Sequence, residues 1–137
     1  MNTWLIKSEP GAWSWQDQLD AGEKGTFWDG VRNYQASNNM KAMKIGDQCF
    51  FYHSVKEKSI VGIVEVIKEY YPDHTDPKGR FGMVDVKAVQ TFPTPVTLAE
   101  IKADPELENL ALVRQSRLSV VPIDAASWKH ICKMGKL

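Results

Sequence analysis

The stretch Ile60-Val61-Gly62-Ile63-Val64-Glu65-Val66-Ile67-Lys68-Glu69-Tyr70 decides the fold. Its first five residues form the longest near-continuous apolar run in the chain, far short of the ~20 residues that cross a bilayer. The run is β-branched and too long for a short sandwich strand, so it is expected to bend around a barrel. Gly62, which has no β-carbon, is the expected point of that bend.

Two more β-rich segments flank it. Asp47–His53 precedes it across a polar turn at Ser54–Ser59, and Met83–Thr91 follows a longer loop at Pro72–Gly79. In the later segment Val84, Val86 and Ala88 face one way, and Met83, Asp85, Lys87 and Val89 the other. Thr3–Lys7, ended by Pro10-Gly11, and Ser119–Ile123 read as a first and a last strand. Helices are expected where caps precede apolar spacing. Ser14 with Asp17 opens one that Gly22 closes, Asn33 or Tyr34 to Met43 forms another stopped by Gly46, and Thr97 with Glu100 makes a capping box. Asp104-Pro105 starts a further short one, and Asp124 caps a terminal helix with Trp128, Ile131 and Cys132 on one face. Strands with short helices interspersed irregularly give an α+β domain, a partly closed β-barrel flanked by short helices. Residues 1–137 show no repeat, linker or low-complexity tract and are read as a single domain.

The 137 residues carry 17 basic and 17 acidic side chains, with 43% apolar and 10% aromatic residues, which excludes disorder and strong polycation behaviour. The neutral total hides segregation. Arg32, Lys41, Lys44, Lys56 and Lys58 face only Asp47 and Glu57 within 31–58, and five bases face Asp124 alone within 109–137, so the two stretches could meet as one basic face. Cys49 and Cys132 are far apart and fit neither a disulfide framework nor zinc-ligand spacing; as free thiols they suit a reducing cytoplasm. The start has no secretory pattern. There is no phosphate-cradling glycine loop, nucleophile elbow or His-Glu-x-x-His pair, and no metal or cofactor is expected. His74, between Asp73 and Asp76, is read as part of a solvated acidic loop, and His130 as a surface or helix-end residue.

Polar residues stand instead at strand and turn ends in aromatic company: Trp4-Leu5-Ile6-Lys7-Ser8-Glu9-Pro10, Trp28-Asp29-Gly30-Val31-Arg32-Asn33-Tyr34-Gln35-Ala36, Tyr52-His53-Ser54, Tyr71-Pro72-Asp73 and Arg117-Leu118-Ser119-Val120. In this order, and over essentially the whole chain, they resemble the EVE domain family, with Ser37 where the family commonly has arginine and Val121 where methionine is frequent. The resemblance implies a PUA-like barrel akin to PUA and YTH domains, and a binding rather than catalytic role: a reader of modified bases, foremost 5-modified cytosine in DNA, that holds a flipped base in an aromatic-walled pocket. Modified RNA and, in a different class, an enzyme acting on a nucleotide remain the alternatives. A partner nuclease or other effector would perform any cleavage, no membrane is involved, and a stand-alone bacterial cytoplasmic protein is implied.

By the same resemblance the pocket would be formed by Lys7, Ser8, Glu9, Trp28, Val31, Asn33, Tyr52, His53, Ser54, Leu118 and Ser119. Trp28 and Tyr52 are the candidate walls, and the serines, Glu9, Asn33 and His53 offer donors and acceptors for a base edge. Arg32, Gln35 and Arg117 would meet the nucleic-acid backbone, contacts that position without specifying. No catalytic residue is expected.

Overall fold

The computed structural model describes residues 2–137. Six strands form one mixed sheet: β1 (Thr3–Ser8), β2 (Thr26–Phe27), β3 (Gln48–His53), β4 (Ser59–Pro72), β5 (Gly82–Thr97) and β6 (Val120–Ile123), in spatial order β2-β5-β4-β3-β1-β6. Every neighbouring pair is antiparallel except β1 with β3, which run parallel from Thr3 opposite Gln48 to Ser8 opposite His53. Five short helices flank the sheet: α1 (Trp15–Asp20), α2 (Tyr34–Lys41), α3 (Leu98–Ala103), α4 (Ala111–Arg114) and α5 (Ala125–Met134). This is the α+β arrangement expected from the pattern of elements.

The long hairpin of β4 and β5 bends through several register shifts, the first between Ile60 and Gly62. There Val61 on β4 stands against Phe92-Pro93-Thr94-Pro95 on β5, so both prolines occupy a bulge where no ladder donor is needed. Thr94 N–H bonds instead to the Gly135 carbonyl (3.2 Å), and a β-carbon on Gly135 would lie 2.2 Å from the Phe92 ring, so the bulge docks the end of α5. Gly62 does more than ease the bend: a β-carbon there would meet the Trp15 ring at 2.3 Å. β5 therefore outruns the expected Thr91, because the sequence alternation stops at the prolines while the strand does not.

α2 is capped by Asn33, whose side chain accepts from Ala36 N–H, and ends at Lys41, two residues before the expected Met43. It crosses between sheet strands. Asn39 Nδ2 donates to the Val120 carbonyl of β6 (2.8 Å), while Ser37 Oγ and the Tyr70 hydroxyl of β4 share a hydrogen bond (2.8 Å). The barrel is thus completed by a helix rather than by strand pairing, which is why it is only partly closed. The Ser14, Thr97 and Asp124 caps form as expected, and Asp104-Pro105 opens a 3₁₀ turn.

The alternation of β3 divides the core. Phe51 packs edge-on against Trp15 (5.1 Å between ring centres) and Trp28 (5.5 Å), whereas Phe50 stacks on Trp128 of α5 at 3.8 Å and meets Phe92. Lys7 and Tyr52, opposite one another in the β1–β3 register, fall on the Phe50 side; Ser8 and His53 fall on the Phe51 side.

Candidate functional site

On the Phe51 side, the end of β1 turns back over the sheet. The Glu9 carbonyl accepts from both Ala12 and Trp13 N–H (2.9 Å each), and Ser8 Oγ donates to the Trp13 carbonyl. The turn brings Trp13 to the mouth of a pocket, where Gln18 fixes the indole: Gln18 Oε1 accepts from Trp13 Nε1–H (2.9 Å) and its amide nitrogen donates to the Val86 carbonyl (3.4 Å). Gln18 is wholly buried, so leaving either amide atom unpaired would be costly and the Trp13 orientation is set from within the core. Across from it Trp28 extends the pairing of β2 with β5 through its N–H to the Val84 carbonyl (2.8 Å), with its ring against Phe51.

The resulting pocket, about 340 Å³, is lined by Lys7, Ser8, Glu9, Ala12, Trp13, Thr26, Phe27, Trp28 and Asp29. That is the small end of the range for ligand pockets, roughly 300–1,000 Å³. Trp28 is 7% exposed and Phe27 44% exposed, so the lining passes from a buried wall to an open aromatic rim. The His74 ring meets Phe27 edge-on at 4.7 Å. Two larger clefts, about 810 and 1150 Å³, border α5 and contain none of the residues from the strand-end motifs except Trp4.

Four residues expected in the pocket, Lys7, Ser8, Glu9 and Trp28, line it together. Val31, Asn33, Tyr52, His53, Ser54, Leu118 and Ser119 are not among its lining. Each of these seven has another place. Val31, Tyr52 and Leu118 are buried in the core. Asn33 is engaged as the α2 cap, Ser54 N–H donates to the Ser8 carbonyl (2.8 Å), and the Ser119 carbonyl accepts from Lys7 N–H (3.0 Å). His53 Nε2 accepts from Trp15 N–H (3.0 Å), holding α1 on the end of β3, and its Nδ1 faces Glu57 of the following turn at 3.1 Å, so both ring nitrogens are engaged. Gln35 and Arg117 are exposed.

The loop before β5 differs from its expected solvated character. Asp73 is 3% exposed and accepts from Gly30 N–H (2.9 Å), Arg32 (3.0 Å), Thr75 N–H (2.7 Å) and Thr75 Oγ (2.6 Å). Burial by itself would raise this carboxyl, but the hydrogen bonds from Thr75, Gly30 and Arg32 outweigh it and hold it at about 2. Arg32 also donates to Thr75 Oγ (2.9 Å) and lies over the Phe81 ring, so its guanidinium ties the segment after Trp28 to the β4–β5 loop. Asp76 organises the rest of that loop, accepting from Lys78, Arg80 and Phe81 N–H.

Elsewhere the chemistry is structural. Burial pushes the Cys49 thiol well up, away from a nucleophilic thiolate. Burial lowers Lys7, whose ammonium donates to the Ser116 carbonyl (2.9 Å) and lies 5.7 Å from the Tyr52 ring centre. Among the described residues, Asp104, Glu106 and His130 form the one cluster able to offer three ligands to a metal ion. Here His130 contacts Asp104 at 2.6 Å and Glu106 at 3.3 Å, pinning α5 to the 3₁₀ turn. No described helix is long and apolar enough to cross a membrane.

Trp13, Phe27, Asp29 and Gln18 escaped the sequence reading. The signal for Trp13 was present in Gly11-Ala12-Trp13-Ser14, an aromatic side chain in a turn just ahead of a helix cap.

The family model for the EVE domain matches residues 2–134. Thymocyte nuclear protein 1 of Gallus gallus is 41% identical to the chain in an alignment covering 96% of this chain and 67% of that protein. The crystal structure of human THYN1 protein in complex with 5-methylcytosine-containing DNA has a TM-score of 0.92 at 34% identity, covering 100% of this chain and 99% of that one. The YTH domain of Zygosaccharomyces rouxii MRB1 protein, in complex with N6-methyladenosine RNA, shares the fold alone, with a TM-score of 0.59 at 17% identity over 99% of this chain and 87% of that one. The six strands and their flanking helices are those of a PUA-like α+β fold.

Proposed function

The chain belongs to the EVE domain family, and on that premise we propose that it is a non-catalytic module that reads modified nucleobases, foremost 5-modified cytosine in DNA. One observation carries the reading: the chain superposes over its full length on a human relative in complex with 5-methylcytosine DNA, and it holds a small tryptophan-walled pocket at the strand end where the family motif lies. Residues 1–137 act as one unit in this proposal, and any chemistry on the nucleic acid belongs to a partner protein.

Drawing a base out of its stack costs a few kcal/mol, and stacking on an aromatic wall returns about 1–3 kcal/mol per base. Trp13 and Trp28 supply those walls, the Lys7-Ser8-Glu9 strand end supplies the polar edge, and exposed Gln35 and Arg117 meet the flanking backbone. Val31, Asn33, Tyr52, His53, Ser54, Leu118 and Ser119 lie outside this lining, Asn33 capping α2 and His53 holding α1, and Arg32 fixes the loop before β5.

The test is a titration of one oligonucleotide carrying cytosine, 5-methylcytosine or 5-hydroxymethylcytosine. A buried methyl is worth about 0.8 kcal/mol, and one added hydroxyl hydrogen bond about 0.5–1.5 kcal/mol. The expected result is a graded preference with cytosine weakest and a total range near tenfold. Equal affinity across the series, or tighter binding of N6-methyladenine in RNA, would overturn the cytosine reading.

A further inference from the structure

The side chains that line the pocket carry a charge pattern that stacking alone does not require. Trp13, Phe27 and Trp28 present three aromatic rings, and aromatic faces are negative. Glu9 and Asp29 line the same pocket, and among the described residues neither carboxylate has a hydrogen-bond or ion-pair partner. Elsewhere Glu23 pairs with Lys87, Glu57 with His53, and Asp104 and Glu106 with His130; Glu65 and Glu108 also stand unpaired among the described residues, but neither lines this pocket. The one cation in the lining, Lys7, has its ammonium on the Ser116 carbonyl and beside Tyr52, neither of which lines the pocket. The pocket is therefore lined by three aromatic residues and two uncompensated carboxylates, which together make a cage for a cation.

We propose that this cage selects modified bases that carry a positive charge, so that a cationic N-methylated pyrimidine such as N3-methylcytosine is held more tightly than its neutral isomers. The inference rests on the nucleobase reading above and names the class of base within it. Methylation at N3 leaves the cytosine ring cationic at neutral pH, whereas methylation at C5 or N4 leaves it neutral. All three carry one methyl group on the same ring, so they offer similar apolar area for stacking. The cation gains in addition an attraction to the aromatic faces and to Glu9 and Asp29, and its exocyclic amino group still donates to a carboxylate as cytosine N4 does.

The experiment uses the full chain and four single-stranded DNA oligonucleotides identical but for one base: cytosine, 5-methylcytosine, N4-methylcytosine and N3-methylcytosine. Single strands leave no base pair to break, so the different pairing strengths of the isomers drop out. The expected result is N3-methylcytosine bound about tenfold tighter than 5-methylcytosine, the equivalent of about 1.4 kcal/mol. The Glu9→Gln/Asp29→Asn double variant should lose that margin, bringing N3-methylcytosine and 5-methylcytosine to within about twofold of one another whatever it does to both affinities together. A variant that keeps the tenfold margin would overturn the proposal. Both side chains are exposed, so the variant is expected to keep its melting temperature, and melting it checks this. If N3-methylcytosine binds no tighter than the neutral isomers while these still exceed cytosine, the charge inference falls and the nucleobase reading stands. If all four bind alike, the nucleobase reading itself falls. A trimethyl-lysine peptide bound more tightly than the N3-methylcytosine strand would reassign the cage to a protein ligand and overturn the proposal.

Discussion

The Asp73 carboxylate draws hydrogen bonds from Gly30, Arg32 and Thr75 and so fixes the segment that follows Trp28. Its folded value of about 2 lies below the ordinary 3.8, so its contribution is fully present above about pH 4 and is lost as the pH falls toward 2. The shift corresponds to roughly 2 kcal/mol. Urea unfolding at pH 7, 4, 3 and 2 should show this loss, and Asp73→Asn should be less stable at pH 7 with a flatter acid limb. Variants around the pocket separate binding from folding. Trp13→Ala should weaken modified-base binding by about 1–3 kcal/mol and lower the melting temperature through the unpaired Gln18 Oε1. Gln18→Met, which keeps the ring, should instead cost stability with a smaller loss of binding. Trp28→Ala should lose both, since its ring also packs on Phe51. Paired titrations and melts of the three variants check this. Lys7, Ser8 and Glu9 stand in one contiguous stretch and Trp28 heads another, so the sequence could single out each; that they line one pocket is seen only in the fold. Trp13 was not legible there, because what orients it is Gln18 and, beyond that, the Val86 carbonyl of a distant strand. Asp73 read as solvated for the same reason: its partners include Gly30 and Arg32, more than 40 residues away.

At the level of elements, the bend of β4 and the seat of α1 are one feature. Gly62 leaves the space that the Trp15 ring fills, and Trp15 Nε1–H reaches Thr91 Oγ (3.0 Å) on β5. Gly62→Ala should therefore cost about 1–3 kcal/mol as overpacking, read as a lowered urea midpoint with unchanged slope. The main strands and the capped helices were legible because apolar pattern and cap chemistry are local. The continuation of β5 was hidden by Pro93 and Pro95, which break a strand pattern on paper but sit in a bulge in the molecule. β2 has only two residues and α4 four, too short for any periodicity to mark them. β2 exists because Thr26 and Phe27 find Val86 and Asp85 across the sheet, a tertiary cause.

For the molecule as a whole, some of the 17 basic side chains have identifiable partners among the described residues. Arg32 serves Asp73, Lys87 serves Glu23, and Lys41 and Lys68 lie over the Tyr70 and Tyr71 rings. Arg117, exposed and without an ion-pair partner among the described residues, is the better candidate for a phosphate. Arg117→Gln should weaken binding to all sequences alike and reduce the salt slope by about one phosphate, measured by titration at several salt concentrations. The place of β1 has a consequence in time. It stands between β3 and β6, with Ile6 opposite Phe51 on one side and Thr3 opposite Ile123 on the other. A ribosome makes Thr3 about 120 residues ahead of its partner Ile123, so the strand at the centre of this half of the sheet waits with its backbone unpaired on that side until β6 has been made. The barrel's assembly is thus deferred until β6 emerges, and the interval before it is when a chaperone or a protease would find β1 open.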